Sequence, residues 1–445
     1  MNIYNNSIYN HPNIYEPLII SAPPLSLGMA VVIPCYKEPD LINTLNSLIS
    51  CELPKCAVEI LIILNCAENP SDEIISLNDR TNKQFEDWHV QKNINHNSLP
   101  LGGDKEGGLS FHLLEQKNLP KKHAGVGLAR KIGMDEAWYR FFKIKNSDGI
   151  IVNLDADCTV RANYLTEIFE HFRKNTKTPG ASICFKHPLD GDLDDKVYKG
   201  IVNYELHLRY YINALRFAGI PHAFHTIGSS MAVRTGVYAK QGGMNRRKAG
   251  EDFYFLHKVI PLGNYSEINT TKVIPSPRES DRVPFGTGKA ISQWMISDKE
   301  VYTTYKFQSF VDLKFCSDNI SELYDLAKNN NIEQWLNQLP ESLKTYFQQS
   351  RLEELVEEIL NNVTSEKAFI KRFYRWFDGL KVLQYIHFCR DNYYEDEPVE
   401  QVSSKLQNEI EDGDNANLGL RELLDRFREL DREEKAISKS EFLSC

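Results

Sequence analysis

Two rhythms of apolar residues share roughly the first two-thirds of the chain. Short runs rich in β-formers, bounded by Gly, Pro or Asn, predict strands at Met29–Pro34, Val58–Leu64, Ile150–Leu154, Ala181–Phe185, Thr226–Val233 and Tyr265–Ile274. Between them, apolar residues three and four apart predict helices. One starts near Asp40 with Leu41, Leu45 and Leu48; others run from Asp72 to Phe85, from Gly125 to about Lys145 and from Asn163 to Phe172. A longer one, Tyr198 to Phe217, carries Ile201, Tyr204, Leu208, Tyr211 and Leu215 on one face. Strand and helix alternating in this way predict an α/β fold with a largely parallel sheet.

From about Ile291 onward only the helical rhythm is left. Leu352, Leu355, Val356, Ile359, Leu360 and Val363 form one stripe. Phe369, Phe373, Trp376, Phe377 and Leu380 form a second, and Leu420, Leu423, Leu424 and Phe427 a third after an acidic break at Tyr394–Val399. The pattern therefore divides the chain into an irregular arm over residues 1–28, an α/β domain over 29–290 and a helical domain over 291–445. The polar, Gly-rich stretch Lys92–Gly108 is expected to be a mobile loop.

Composition narrows the class. At 445 residues, with 42% hydrophobic and 25% charged residues, the chain is expected to be a soluble globular protein of more than one domain. A net charge of −9 without a basic stripe argues against a nucleic-acid binder. Nine scattered cysteines without a Cys-x-x-Cys pair support neither zinc nor a disulfide framework, so a reducing cytoplasm is the expected setting. No basic segment followed by an apolar stretch opens the chain. Pro17–Tyr36 is uncharged but broken by prolines, so no signal peptide or transmembrane anchor is expected.

The candidate chemistry begins where the run Ile150-Ile151-Val152-Asn153-Leu154 stops at Asp155-Ala156-Asp157. Alternating side chains put both carboxylates on one side if the extended geometry persists. Two adjacent carboxylates repel, and Mg²⁺ or Mn²⁺ relieves this while leaving positions for substrate phosphates. An Asp-rich loop capping the next helix is the alternative. Three further signals stand apart in sequence: Pro34-Cys35-Tyr36-Lys37-Glu38 at the end of the first strand, Gly125 to Arg130 on a helix, and Glu251-Asp252 opening another.

In order and in secondary-structure context, these four signals resemble the family-2 glycosyltransferases. Those are inverting enzymes of the GT-A fold that use nucleotide-diphosphate sugars, and the resemblance covers about residues 29–290. It implies a Rossmann-like, mostly parallel sheet flanked by helices, with the all-helical C-terminal part outside the family pattern. It implies that Pro34, Tyr36 and Glu38 line the nucleoside and that Arg130 lies beside the nucleotide. Asp157, with Asp155, would bind the metal, Asp155 otherwise touching the ribose. One of Glu251 and Asp252 would be the general base; adjacent helical residues diverge by about 100°, so only one faces the reacting carbon, and Asp252 is the favoured one. Ordinary helix N-terminal charge compensation is the alternative for that pair.

Departures qualify the resemblance. The second strand ends Asn65-Cys66-Ala67-Glu68 in place of the family's aspartates; Asn65 can still hydrogen-bond a base edge, but a uridine preference does not follow. The Gln-x-x-Arg-Trp signature of processive members is absent. Arg278 and Arg282 sit in a Pro/Gly-rich segment, suited either to closing over a diphosphate or to surface pairs with Glu279 and Asp281. His257, and less so His222 and His225, could be metal ligands or plain structural histidines. The expected activity is a non-processive, metal-dependent transfer of a sugar from a nucleotide-diphosphate donor to an acceptor hydroxyl on a glycan, a lipid-linked or a small molecule. The alternatives are a catalytically weak sugar-nucleotide-binding or scaffold module, and a sugar-1-phosphate nucleotidyltransferase. The latter would open with a Gly-rich loop that Pro34-Cys35-Tyr36-Lys37 lacks.

Overall fold

The computed structural model describes residues 16–92, 107–284, 286–298, 300–411 and 418–433. An eight-stranded mixed sheet organises the α/β part. Its strands are β1 (Leu27–Cys35), β2 (Ala57–Ala67), β3 (Gly108–Leu119), β4 (Ile150–Asn153), β5 (Cys158–Val160), β6 (Gly180–Phe185), β7 (Met231–Arg234) and β8 (Ser266–Pro275). The spatial order is β3-β2-β1-β4-β7-β6-β8-β5. Four pairings are parallel and three antiparallel, so the expected α/β class is found, with a sheet more mixed than the strand–helix alternation suggests. The helices are α1 (Leu41–Ile49), α2 (Asp72–Gln91), α3 (Val126–Lys143), α4 (Tyr164–Lys174), α5 (Asp195–Phe217), α6 (Thr235–Lys240) and α7 (Glu251–Val259).

Strand β1 is buried almost throughout, because β2 flanks it on one side and β4 on the other. That explains its unbroken apolar run. β3 was not legible as a strand. It is an edge strand paired only with β2, and it carries Ser110, His112, Glu115, Gln116 and Lys117, the polar dress that protects an exposed edge. β5 has three residues, too short to leave a pattern. Most of the expected loop between Lys92 and Gly108, and the first fifteen residues of the expected arm, lie outside the described residues; residues 16–26 carry no helix or strand.

The helix α3 positions the site. Up to Phe141 it buries hydrophobic and charged residues alike, including Arg130, Lys131, Asp135, Glu136 and Arg140. Each charge has an answer. Lys131 pairs with Asp135 at 2.9 Å, Arg140 Nη2 donates to Glu59 at 2.6 Å, and the Glu136 carboxylate accepts the Leu18 and Ile19 N–H groups at 2.9 and 3.3 Å. Buried charges persist only when paired in this way. Gly133 lets α3 lie close on the sheet, since a Cβ there would come 2.4 Å from Val32 Cγ1. One turn earlier, α3 carries Arg130 to the end of β4.

The described chain falls into two compact units. One holds the residues up to Pro188 with Thr226–Lys289; the other holds Leu189–His225 with the residues from Ala290 on. Helix α5, which the sequence pattern groups with the strands, thus belongs with the C-terminal helices. Its Leu206, Tyr210 and Leu215 share a core with Phe310, Phe347, Phe373 and Phe427. Glu205 accepts from Arg428 at 2.7 and 2.9 Å, and Asp431 accepts from Arg216 at 2.8 Å. Among the described residues no helix is long and apolar enough to cross a membrane. The eight described cysteines are free thiols.

Candidate active site

The carboxyl ends of β1 and β4 are the place where the connectivity changes direction. From β1 the chain steps outward to β2 and β3, then returns to β4 on the other side of β1. In open α/β sheets the crevice at such a point is where ligands bind. The Leu154 N–H donates to the Val32 carbonyl at 3.1 Å, so β4 stays tied to β1 until one residue before Asp155. Asp155 and Asp157 therefore leave the sheet beside the segment Tyr36–Glu38.

Arg130 binds this rim to a second acidic segment. Its side chain is 4% exposed. Nη2 donates to Asp155 Oδ1 at 2.5 Å and Nη1 to Glu251 Oε1. The turn before β7 presses on the guanidinium: a Cβ at Gly228 would stand 2.2 Å from Nη1. Burial disfavours the charged guanidinium, but the Asp155, Glu251 and Asp252 carboxylates favour it more, so Arg130 stays charged.

Glu251 and Asp252 open α7 and differ in burial and in partners. Glu251 is 1% exposed and turned onto Arg130, while Asp252 is half-buried. Asp252 Oδ1 accepts the Phe253 N–H at 2.7 Å, so the helix N-terminus compensates part of its charge. Burial pushes both carboxyls above their ordinary values, with Arg130 opposing it.

A second guanidinium pair stands at the same rim. Arg278 and Arg282 turn inward, away from the surface pairing with Glu279 and Asp281 that their sequence neighbours suggested. Arg278 Nη2 donates to Glu38 Oε1 at 2.6 Å and lies 3.4 Å from Asp157 Oδ2. Arg282 Nη1 donates to Glu38 Oε2 at 2.5 Å and to the Tyr36 carbonyl at 3.2 Å, and Nη2 to Asp157 Oδ2 at 3.1 Å. Burial raises the Asp157 carboxyl, as do the Asp155 and Glu38 charges, and the two arginines lower it again.

Eight expected site residues thus gather in one acid–arginine array: Glu38, Arg130, Asp155, Asp157, Glu251, Asp252, Arg278 and Arg282. Pro34 is buried at the end of β1 and Tyr36 is half-buried just beyond it. Asn65 lies one strand further out, buried near the end of β2, its carbonyl accepting from Asn78 Nδ2 at 3.3 Å. The histidines have contacts of their own. His257 packs its ring on Phe253 at 4.1 Å between centroids. His222 and His225 belong to the helical unit, 2.7 Å from the Tyr374 carbonyl and 3.2 Å from Asp431 respectively. Sequence reasoning missed Asp40, whose carboxylate lies 3.4 Å from Arg278, and the need for glycine at 228. Gly228-Ser229-Ser230 was visible as a small-residue run, and that was the available signal.

No protein-family model matches the chain, and no curated protein matches its sequence. Among solved structures it is similar to S. aureus TarS 1-349 in complex with UDP-GlcNAc, at 14% identity and a TM-score of 0.36, over 93% of this chain and 92% of that one. It is similar also to the same TarS fragment with UDP, at 12% identity and a TM-score of 0.32, over 93% and 91%. GalNAc-T7 with UDP, GalNAc and Mn2+ is similar at 16% identity and a TM-score of 0.36, over 78% of this chain and 56% of that chain. These are complexes of UDP or a UDP sugar.

The acid–arginine array can be tested for a cation on its own donor set. Arg130 takes Asp155 Oδ1, and the arginine pair takes Asp157 Oδ2. Asp155 Oδ2 remains, and Asp157 Oδ1 carries only the weak thiol donor of Cys158 at 3.7 Å. Among the described residues no group of three or more His, Cys, Asp or Glu side chains gathers as a metal cage. This donor set fits a hard cation that takes one or two carboxylates and completes its shell from phosphate and water, the usual habit of Mg²⁺.

Proposed function

We propose that the chain is a non-processive, inverting glycosyltransferase that moves a sugar from a nucleotide-diphosphate donor to an acceptor hydroxyl. One observation carries this reading. A single buried arginine, Arg130, touches Asp155 on the donor side and Glu251, the neighbour of Asp252, on the other. A base and a diphosphate site are thereby held at one rim.

In this reading Pro34, Tyr36 and Asn65 line the nucleoside along the ends of β1 and β2. Arg278 and Arg282 face the diphosphate, whose charge a guanidinium meets with two donors at once. Asp157, with Asp155, would hold Mg²⁺ or Mn²⁺, and a cation there supplies Lewis-acid stabilisation of the departing diphosphate. Asp252 takes the proton from the acceptor hydroxyl while that hydroxyl's oxygen attacks the anomeric carbon from the face opposite the diphosphate. The new C–O bond forms as the old one breaks, the electron pair leaves with the diphosphate, and the configuration inverts. Glu251 is a positioning residue, held on Arg130 and beside the base.

The test is release of nucleoside diphosphate from a panel of nucleotide sugars, followed against pH. A general base works only when deprotonated, and burial first of all raises the Asp252 carboxyl. Activity is therefore expected to rise with pH along a limb lying above the ordinary aspartate value of 3.8. A limb at or below that value, or one that Asp252→Asn leaves in place, would remove Asp252 from the base role.

A further inference from the structure

The resemblance placed Glu38 on the nucleoside. The structure gives its carboxylate to other partners. Glu38 is 2% exposed. Its Oε1 accepts from Arg278 Nη2 at 2.6 Å and from the Asp40 N–H at 2.9 Å, and its Oε2 accepts from Arg282 Nη1 at 2.5 Å. Both oxygens are therefore engaged with protein donors.

We infer that Glu38 is a positioning residue that fixes Arg278 and Arg282 as one rigid fork for the two phosphates of the donor. The inference rests on the proposed nucleotide-diphosphate reading. Arg278 and Arg282 lie in a segment without helix or strand, so no backbone ladder sets their direction. Long arginine side chains on such a segment would each sample many rotamers, and ordering them at the moment of binding would weaken it. One buried carboxylate that accepts from both removes that freedom beforehand. The fork keeps capacity to spare. The two side chains are 20% and 22% exposed, each guanidinium has five N–H donors, and the buried Arg278 Nε has no hydrogen-bond partner among the described residues. Asp157, the expected metal ligand, touches both guanidiniums at 3.4 and 3.1 Å. The fork thus stands against the place a phosphate would share with a cation.

The sign of the effect separates positioning from plain electrostatics. Removing a negative charge beside an anion site should tighten anion binding; removing the anchor of the fork should weaken it. The experiment is calorimetric titration of the full chain with inorganic pyrophosphate and, separately, with uridine, Mg²⁺ present throughout. Glu38→Gln is expected to lower pyrophosphate affinity roughly tenfold or more and to leave uridine affinity unchanged. Glu38→Asp keeps the charge but shortens the reach by one methylene, and serves as the second variant should the first fold poorly; it is expected to lose pyrophosphate affinity in the same way. Unchanged or tighter pyrophosphate binding in either folded variant overturns the inference, as does a wild-type chain that binds no pyrophosphate. The parent reading is separable from it. Glu38-dependent pyrophosphate binding with no nucleotide sugar consumed leaves the fork standing and removes the transferase; donor turnover with pyrophosphate binding indifferent to Glu38 does the reverse.

Discussion

Asp252→Asn is expected to lower kcat by about 10²–10⁴-fold while donor affinity stays within about twofold. The asparagine keeps the size and can still accept the Phe253 N–H bond that the aspartate accepts at 2.7 Å. It cannot take a proton. The loss falls on an interaction made only in the transition state, which is why it appears in kcat and not in binding. Glu251→Gln should act differently. Glu251 is turned onto Arg130 and away from solvent, so its replacement weakens the hold on Arg130 and disturbs both halves of the site. Single-turnover kinetics beside direct donor binding would separate the two. A kcat loss carried by Glu251→Gln instead would exchange the two roles.

The second large effect is on stability. Arg130→Ala is expected to destabilise the chain by about 3–5 kcal/mol, read as a lower urea midpoint at unchanged slope. The cause is not the loss of one attractive contact. Glu251 would be left buried with its charge unanswered, and Asp155 would lose its partner at 2.5 Å. Arg130→Lys should recover little, because one ammonium cannot reach two carboxylates from a planar fork's two ends. Arg130→Met combined with Glu251→Gln should recover more than either change alone, since the fully buried pair is removed together and the one partner left over, Asp155, is open to solvent. A double variant as unstable as the sum of the single ones would mean that the contact is not what ties these positions.

Much of this was legible in the residues, and the reasons are specific. Strands β1, β2, β4 and β6 are interior and read as apolar runs, so the residues alone place the Asp-x-Asp at the end of β4 at a sheet rim. β3 could not, because an edge strand hides its period under protective polar residues. The burial of α3 was also hidden. A helix with Arg130, Lys131, Asp135, Glu136 and Arg140 reads as solvated until their partners are known, and most of those lie far off in sequence: Glu251 for Arg130, Glu59 for Arg140, and the Leu18 and Ile19 N–H groups for Glu136. The same holds for Glu38, whose arginines come from more than 200 residues downstream. Helical periodicity gave α5 an apolar face but not the identity of the surface that covers it, so its place among the C-terminal helices came from packing alone.

The central claim is that the rim between β1 and β4 takes a nucleoside diphosphate together with a divalent cation. Thermal unfolding of the full chain with nucleoside diphosphates, with and without Mn²⁺, tests it most directly, because a ligand that binds only the native state must stabilise it, by about 2.7 kcal/mol at a hundredfold excess over Kd. The prediction is a rise in Tm for at least one nucleoside diphosphate, larger with Mn²⁺, and loss of the Mn²⁺-dependent part in Asp157→Ala with the ligand-free Tm retained. A Tm indifferent to every nucleoside diphosphate with the metal present, or an Asp157→Ala chain that responds as the wild type does, would contradict the account.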